Sequence, residues 1–339
     1  MQEQKRHFTV DYGQNHEFAN VTLQALRTCV HFDDDQKQLV LELPECDGDR
    51  ARLLGDPKHG VVKVVMVHAD KKMRACPKGE RVKIPLHEGD IFIDSYLRLR
   101  NIASASPLLR KCGVPAENDN FVQQMLCMLF VEPRACVAHI GSKDAGVTSF
   151  MLAQILVEPW NQLVVLDHDK AQCESILNNQ LLDADNRSIM GVRIGQFAVS
   201  DTPLIQIQNG RILEMKPGLT WNHKTDTPLP CKTFREICDF FETRFDTLVL
   251  SGKGIFFRLL QNNVPDTWRY INLIIMTHDY DNQEDRAEVV RLLTLIGFKS
   301  MYQHLEGQTI VFHEVWIRDT PVMLHYAPPT SNVTHEIKT

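Results

Sequence analysis

The sequence predicts an α/β domain with a doubly wound, Rossmann-like sheet, preceded by an N-terminal all-β sandwich. Two observations predict the sheet. Short apolar runs, such as Leu163 to Leu166, alternate with segments whose apolar residues recur at helical spacing, such as Val147 to Val157. Such short runs, bounded by turn residues, are typical of parallel strands buried on both faces. A third observation predicts the sandwich: residues 7 to about 94 contain short β-branched runs separated by Asp-, Gly- and Pro-rich turns.

Composition narrows the function classes. The 339 residues are ample for two domains, and 43% hydrophobic with 24% charged residues is ordinary for a globular protein. A net charge of −6 argues against a nucleic-acid or anionic-membrane partner. Nine cysteines without a CxxC pair argue against a disulfide framework and a zinc site. With neither a signal-peptide pattern nor a run of about 18 apolar residues, we expect a soluble, cytoplasmic protein.

The N-terminal region (residues 1–94) has no residue with an obvious chemical role, so we interpret it as a docking or binding module, with a protein partner as one candidate. Its predicted strands lie in VTLQALRTCVHF, KQLVLELPE, GVVKVVMVHAD and ERVKIPL. A helical bridge (residues 95–117) follows, with a helix from Tyr96 to Ala103. The predicted helix Asp119 to Phe130 then opens the α/β domain (residues 118–318).

The first βαβ unit of this domain is the most informative stretch. A strand, Cys136 to Ile140, ends in a loop bounded by Gly141 and Gly146. The next strand ends on Asp167, 26 residues after Gly141. A glycine loop lets the backbone approach a ligand closely, and an acid at that distance can accept hydrogen bonds from ribose hydroxyls. The loop is not GxGxxG, which disfavours a dinucleotide, and a plain strand-to-helix turn remains an alternative.

The remaining elements continue the alternation and end in an extended tail (residues 319–339). We predict, in order, a helix Ala171 to Leu182, a strand Val192 to Val199, a hairpin at Asn209-Gly210, an irregular loop Lys216 to Leu229, a helix Thr233 to Thr243, a strand Phe245 to Leu250, a short helix Ile255 to Gln261, a strand Ile271 to Met276, a helix Glu284 to Ile296 and a hairpin ending near Arg318.

Eight motifs in this order resemble the FkbM-like family of S-adenosylmethionine-dependent methyltransferases, over residues 118–318: NFVQQML, HIG, LVVLDHD, FAVSD, KTFREI, FDTLVLSGKGIFFRLL, INLIIMTHDY and FHEVW. The resemblance implies a class I methyltransferase-like fold, S-adenosylmethionine as cofactor, and a hydroxyl of a carbohydrate or small molecule as acceptor. It implies cofactor binding by His139, Gly141, Ser142, Gly146, Asp167, His168, Ala198 and Val199. The N-terminal stretch GDPKHGVVKVVMV resembles a small β-domain of DnaJ-type proteins.

The sequence departs from the family's pattern where the chemistry should lie. The family carries carboxylates at the places of Ser251, Lys253 and Thr277, and an acid at the place of His139. Without those carboxylates, we predict no metal site. The remaining candidates for catalysis are Ser251, Lys253, His278 and Asp279. Two interpretations stay open: an active methyltransferase, or an inactive methyltransferase-fold protein that serves as a structural or interaction subunit.

Overall fold

The computed structural model describes residues 8–56, 60–69, 72–87, 90–106, 109–110, 120–142, 146–181, 192–207, 212–215, 222, 225–251, 260, 268–279, 283–305 and 311–319. These residues fall into two compact units. One lies within Met1–Phe130 and Gln303–His313, and the other within Val131–Tyr302 and Glu314–Thr339. In the described part of the chain, none of the helices is both long enough and apolar enough to cross a membrane.

Among the residues that the structure describes, the first unit contains two antiparallel sheets and several helices. Its elements are β1 (Thr9–Gln14), β2 (Glu17–Asn20), α1 (Thr22–Thr28), β3 (Val30–Asp33), β4 (Gln38–Leu43), α2 (Asp47–Leu54), β5 (Val64–Ala69), β6 (Lys72–Cys76), β7 (Val82–Pro85), α3 (Ile91–Ala105) and α4 (Phe121–Phe130). The strand orders are β2-β1-β5-β6 and β3-β4-β7. The predicted antiparallel sheets are confirmed, and the prediction that they form a sandwich remains open.

Two segments of this unit are helical where the sequence predicted only strands and turns. The segment Thr22–Thr28 forms a helix because Leu23 and Leu26, three residues apart, bury one face of it. The segment Asp47–Leu54, which begins with an Asp-Gly-Asp predicted as a turn, carries two acids in its first helical turn, which stabilise the positive end of the helix. The all-β prediction is wrong for these two segments.

The helix Asp119 to Phe130, which was predicted to open the α/β domain, is present as α4 (Phe121–Phe130). Its first residue, Phe121, packs edge-to-face on Tyr96 of α3, with ring centroids 6.3 Å apart. All side chains from Phe121 to Met128 are buried. This helix belongs to the first unit, whose limit is at Phe130, whereas the boundaries at residues 94, 117 and 318 remain predictions.

The second unit is built on one large sheet. The elements from residue 131 onward are β8 (Val137–Ile140), α5 (Val147–Ile155), α6 (Pro159–Gln162), β9 (Leu163–Leu166), α7 (Lys170–Leu181), β10 (Arg193–Gly195), β11 (Ala198–Val199), β12 (Leu204–Gln206), β13 (Ile212–Glu214), β14 (Thr227–Pro228), β15 (Cys231–Lys232), α8 (Phe234–Phe240), β16 (Thr247–Ser251), β17 (Leu273–Asp279), α9 (Gln283–Leu295), β18 (Phe298–Leu305) and β19 (Val311–Arg318). The end of β18 and the start of β19 fall within Gln303–His313, which is grouped with the first unit.

The strand order of this sheet is β10-β9-β8-β16-β17-β19-β18, and the pairs from β10 to β17 are parallel. Counted within the sheet, the order is 3-2-1-4-5-7-6. The chain winds outward in one direction from β8, then returns to continue in the other, which is the doubly wound arrangement. The predicted Rossmann-like, class I methyltransferase-like fold is thereby confirmed. Every residue of β8, β9 and β16 is buried, as the continuous apolar runs predicted.

Smaller predictions in this unit are also decided. The hairpin is confirmed, since β12 and β13 pair antiparallel on either side of the predicted turn. The predicted helix from Thr233 begins with a capping box, in which Thr233 and Glu236 exchange side-chain and backbone hydrogen bonds. The turn residues Asn209 and Gly210, the short helix from Ile255 and the tail from residue 320 lie outside the described residues.

Candidate functional site

The candidate site lies at the carboxyl ends of β8, β9, β10 and β16, where the order of the sheet reverses. Ligands of open α/β sheets bind at this edge. Gly141 directly follows β8 and has a φ of +79°. Its N–H donates to the carbonyl of Leu166, at the end of β9, over 2.9 Å. A Cβ atom at Gly141 would overlap the carbonyl oxygen of Ser251, so the close approach of these two strand ends requires glycine.

Asp167 connects the two loops that leave β8 and β9. Its Oδ2 accepts the N–H of Ser142 over 2.8 Å, and its Oδ1 accepts the N–H of Asp169 over 2.9 Å. The Nδ1 atom of His168 lies 3.5 Å from Oδ1. Asp167 is 7% exposed and Ser142 is 1% exposed, so the protein itself supplies the hydrogen bonds that replace water at this carboxylate. The structure therefore brings together three predicted cofactor residues, Ser142, Asp167 and His168.

A buried thiol lies beside the main chain of Asp167. The thiol of Cys173, in α7, donates to the main-chain oxygen of Asp167 over 3.5 Å. Burial, with a smaller contribution from the charges of Asp167 and Asp169, raises the pKa of the Cys173 thiol to about 12. The thiol is therefore neutral at physiological pH.

His139 lies inside the sheet. The side chain is 1% exposed, and its Nδ1 is 2.7 Å from the Oγ of Ser149 in α5. Gly146, the residue before α5, has a φ of +89°, and a Cβ there would come within 2.9 Å of the Ile176 side chain. Both residues thus have packing roles, and their assignment to cofactor binding remains a prediction.

Ala198 and Val199 form β11, which pairs in parallel with β15. The N–H of Ala198 donates to Pro230 over 2.7 Å, so this turn is fixed by its own backbone. The sequence reasoning missed Gln196, which directly follows β10 and is only partly buried. It follows Gly195, whose carbonyl accepts the N–H of Asp167 over 3.1 Å. Gln196 becomes a candidate site residue once the strand order is known, because it is the first residue after β10, the strand that neighbours β9.

The candidate catalytic residues are only partly placed. Ser251 ends β16, is 9% exposed, and pairs in register with Thr277 of β17. The backbones of His278 and Asp279 end β17, but their side chains and the whole of Lys253 lie outside the described residues. Within the described ranges, no group of three His, Cys, Asp or Glu side chains is arranged to hold a metal ion.

Comparisons with known proteins found only distant structural similarity. No family model and no curated protein matches the sequence. Solved structures to which this chain is distantly similar include a ribosomal protein L11 methylase from Lactobacillus delbrueckii (13% identity over 59% of this chain and 80% of that chain, TM-score 0.37). Another is a putative tRNA (m1A22) methyltransferase from Streptococcus pneumoniae in complex with S-adenosyl-L-methionine (11% identity over 60% of this chain and 74% of that chain, TM-score 0.36). A third is a predicted O-methyltransferase from Agrobacterium tumefaciens (13% identity over 60% of this chain and 87% of that chain, TM-score 0.32). Likeness at this level says nothing about substrate, and the fold assignment rests on the strand order.

Proposed function

We propose that the second unit binds S-adenosylmethionine at the carboxyl edge of its sheet and transfers the methyl group to a hydroxyl of a carbohydrate or small molecule, as the resemblance to the FkbM-like family implies. The observation that carries this proposal is the position of Asp167. Its carboxylate ends the strand next to β8, beside the glycine connection after β8, at the point where the strand order reverses. This is where doubly wound sheets bind nucleosides.

The residues at this edge fit an adenosine ligand. Asp167 and His168 supply polar groups at the end of β9, on the ribose side. Gln196, at the end of β10, carries an amide, which can both donate to and accept from the edge of an adenine base. Ala198 and Val199 offer a fixed apolar turn nearby. An acid and an amide at the ends of the neighbouring strands β9 and β10 match the two parts of a nucleoside, the ribose and the base.

The step that removes the proton from the acceptor hydroxyl cannot use the carboxylates of the FkbM-like family, because this chain has other residues at their places. Bound S-adenosylmethionine supplies an activated methyl group on a sulfonium leaving group. Ser251 and Thr277 can orient an acceptor hydroxyl by hydrogen bonding but are not bases at neutral pH. We propose His278, next to Asp279, as the base, because histidine titrates near neutral pH. This chemistry needs no metal ion.

A second function is favoured by a specific observation. Ser251 and Thr277 face each other across β16 and β17 at places where the family has carboxylates. A protein retained as a structural or interaction subunit keeps its buried strands and can lose such acids. In this alternative, the first unit docks a protein partner and the second unit supplies a scaffold.

Calorimetric titration with S-adenosylmethionine and S-adenosylhomocysteine tests the proposal. We expect binding, and Asp167→Ala should weaken it by about 1.5–3 kcal/mol, the scale of a hydrogen bond to a charged group. Asp246→Asn is the matched control. Asp246 also accepts a backbone N–H, that of Cys136 over 3.1 Å, but precedes β16 at the opposite edge of the sheet.

The outcomes separate the two functions. Binding together with transfer of labelled methyl to hydroxylated acceptors supports the enzyme. Binding without transfer favours the subunit alternative. An absence of heat at millimolar ligand, with a folded protein, would contradict cofactor binding altogether.

A further inference from the structure

A buried ion pair lies near the carboxyl end of β17. The side chain of Glu314, in β19, is 0% exposed, and its Oε1 accepts from both Nε and Nη2 of Arg286, over 3.2 and 3.0 Å. Its Oε2 accepts the indole N–H of Trp316 over 3.4 Å. The Arg286 side chain is 30% exposed. Its guanidinium is therefore held by a buried carboxylate and still reaches solvent.

The pair lies at the edge of the sheet where the acceptor is proposed to bind. β17 and β19 are neighbours, and the N–H of Arg318, the last residue of β19, donates to the carbonyl of Asn272, just before β17, over 2.9 Å. The two strands therefore run antiparallel. Equal steps along both strands from this contact place Glu314 level with the residue before Thr277. Arg286 is in the first turn of α9, the helix that follows β17.

Neither member of the pair stabilises the element that carries it. A cation in the first turn of a helix meets the positive end of the helix dipole, which is unfavourable. Burying a carboxylate is costly, and apolar side chains of similar volume often give equal or greater stability than a buried ion pair. Residues that break such local rules are expected at functional sites. The place of Arg286 and Glu314 at the carboxyl edge points to a role there.

Glu314 also sets the charge that Arg286 presents. A guanidinium carries five N–H groups in a fixed fork, which suits it to orient oxygen atoms. The negative charge of Glu314 cancels the positive charge of Arg286, so the two together form a rigid donor without net charge. An acceptor that carries a carboxylate gains little from such a donor and is repelled by Glu314. A neutral hydroxyl or ring oxygen meets no such repulsion.

From this arrangement we infer that Arg286 contacts the acceptor as a hydrogen-bond donor, and that Glu314 makes the site select uncharged hydroxylated acceptors over anionic ones. The acceptor in question is that of the proposed function, on which this inference rests. Glu314 acts through Arg286 and is a positioning residue. A role in stability alone would leave the ratio between neutral and anionic acceptors unchanged.

The first experiment compares acceptors that differ only in charge. For each neutral sugar that is methylated, kcat/KM is measured for that sugar and for its uronic acid, and the native chain should prefer the sugar. Glu314→Gln keeps the shape but leaves Arg286 charged, so the preference should shift towards the uronic acid by about tenfold. Glu288→Gln is the matched control and should not shift it, because Glu288 pairs with Arg291 on the exposed side of α9, over 2.6 Å. An unchanged ratio in Glu314→Gln would overturn the inference.

The double variant Arg286→Gln/Glu314→Gln covers the case in which Glu314→Gln does not fold. Its two amides keep the pair uncharged, as in the native chain, but donate more weakly. The preference for the neutral sugar should stay, while KM for that sugar rises about tenfold and kcat changes little. An unchanged KM would show that Arg286 does not contact the acceptor.

The last experiment needs neither cofactor nor acceptor. Inorganic sulfate is the probe for an uncompensated guanidinium, and melting temperatures are compared in sodium sulfate and in sodium chloride of equal ionic strength. Sulfate should raise the melting temperature of Glu314→Gln more than that of the native chain or the double variant, whose responses show the general effect of sulfate. Equal responses in all three proteins would overturn the inference. If no methyl transfer is found, the proposed transfer fails, and the sulfate result alone decides whether Glu314 cancels an accessible charge on Arg286.

Discussion

Gly141 packs directly against the main-chain carbonyl oxygen of Ser251, with no room between them for a side chain. The contact joins the end of β8 to the end of β16, which are neighbours in the centre of the sheet. Gly141 also has a φ of +79°, a conformation that other residues adopt only with strain. Two separate physical requirements for glycine therefore coincide at the candidate site.

Gly141→Ala should lower the free energy of unfolding of the second unit by about 2–5 kcal/mol, the sum of left-handed strain and overpacking. Gly297→Ala is the matched control. Gly297 has a φ of +88°, but the nearest atom to its Cβ would be Arg318 Nη1 at an ordinary 3.8 Å. It should cost about 1–2 kcal/mol, the strain alone. Urea unfolding of both variants measures the difference, and equal losses would contradict the importance of the close approach.

The sequence predicted the second unit well because burial on both faces leaves a simple pattern. Continuous apolar runs identified β8, β9 and β16, and the turn residues after them located the carboxyl edge. In the first unit, the helix Thr22–Thr28 was missed. Its seven residues are too few for a full amphipathic repeat, and tertiary burial of Leu23 and Leu26 decides its conformation.

The site was predicted in part for a similar reason. A strand-end acid such as Asp167 follows from chain order alone, and its predicted position is as described. That its oxygens are taken by Ser142 and Asp169 depends on three-dimensional contacts between loops, which have no periodic signal in sequence. The burial of His139 against Ser149 is of the same kind. The spacing of apolar runs in the sequence locates an edge of a sheet, but it does not show which groups a side chain at that edge binds.

Thiol reactivity should follow burial closely. Cys46 is exposed and Cys231 is partly exposed. Six other described cysteines are buried: Cys29, Cys76, Cys127, Cys136, Cys173 and Cys238. Burial raises the pKa of Cys136 to about 12 and that of Cys238 to about 11, which keeps both thiols protonated. In native protein at pH 7.5, alkylation read by peptide mass spectrometry should modify Cys46 first and the six buried thiols only in urea. Rapid native labelling of Cys136 would contradict the described packing.

Asp246 should make the second unit less stable as pH rises from the acidic range. Burial raises the pKa of its carboxyl group above the ordinary 3.8, although the hydrogen bonds that it accepts from the Thr247 hydroxyl and the Cys136 N–H act to lower that pKa. Between the ordinary and the raised value, the folded state binds more protons than the unfolded state, so stability falls with rising pH across that window. Asp246→Asn carries no such charge. Its stability relative to the native chain should therefore improve as pH rises through the window, in urea titrations from pH 3 to 7.

Glu236 provides a control of opposite sign. The N–H of Thr233 lowers the pKa of the Glu236 carboxyl group. The ionised carboxylate therefore stabilises the folded state at pH values above its ordinary pKa, and this stabilisation is lost as pH falls through the lowered pKa. Glu236→Gln should therefore lose stability relative to the native chain as pH rises over the same range. Parallel slopes for the two variants would show that the assigned causes are wrong.

The last prediction concerns metal dependence. Ser251 and Thr277 pair in register at the ends of β16 and β17, and no carboxylate stands at either place. We therefore expect no metal-dependent methyl transfer by the native chain, since hydroxyl groups alone hold a divalent cation weakly. The test is transfer of labelled methyl from S-adenosylmethionine to a panel of sugars and small hydroxylated molecules, with magnesium and with a chelator. Turnover that the chelator abolishes would show that the prediction is wrong.

Restoring the acids gives a positive form of the same test. In Ser251→Asp/Thr277→Glu two carboxylates would face each other across neighbouring strands, and their repulsion should lower the melting temperature. Magnesium should recover much of that loss by pairing with both charges, whereas the melting temperature of the native chain should not change. Ser251→Asn/Thr277→Gln has nearly the same size without charge and should show no response to magnesium. If the acidic and amide variants respond alike, these strand ends do not form a site where carboxylates can share a metal ion.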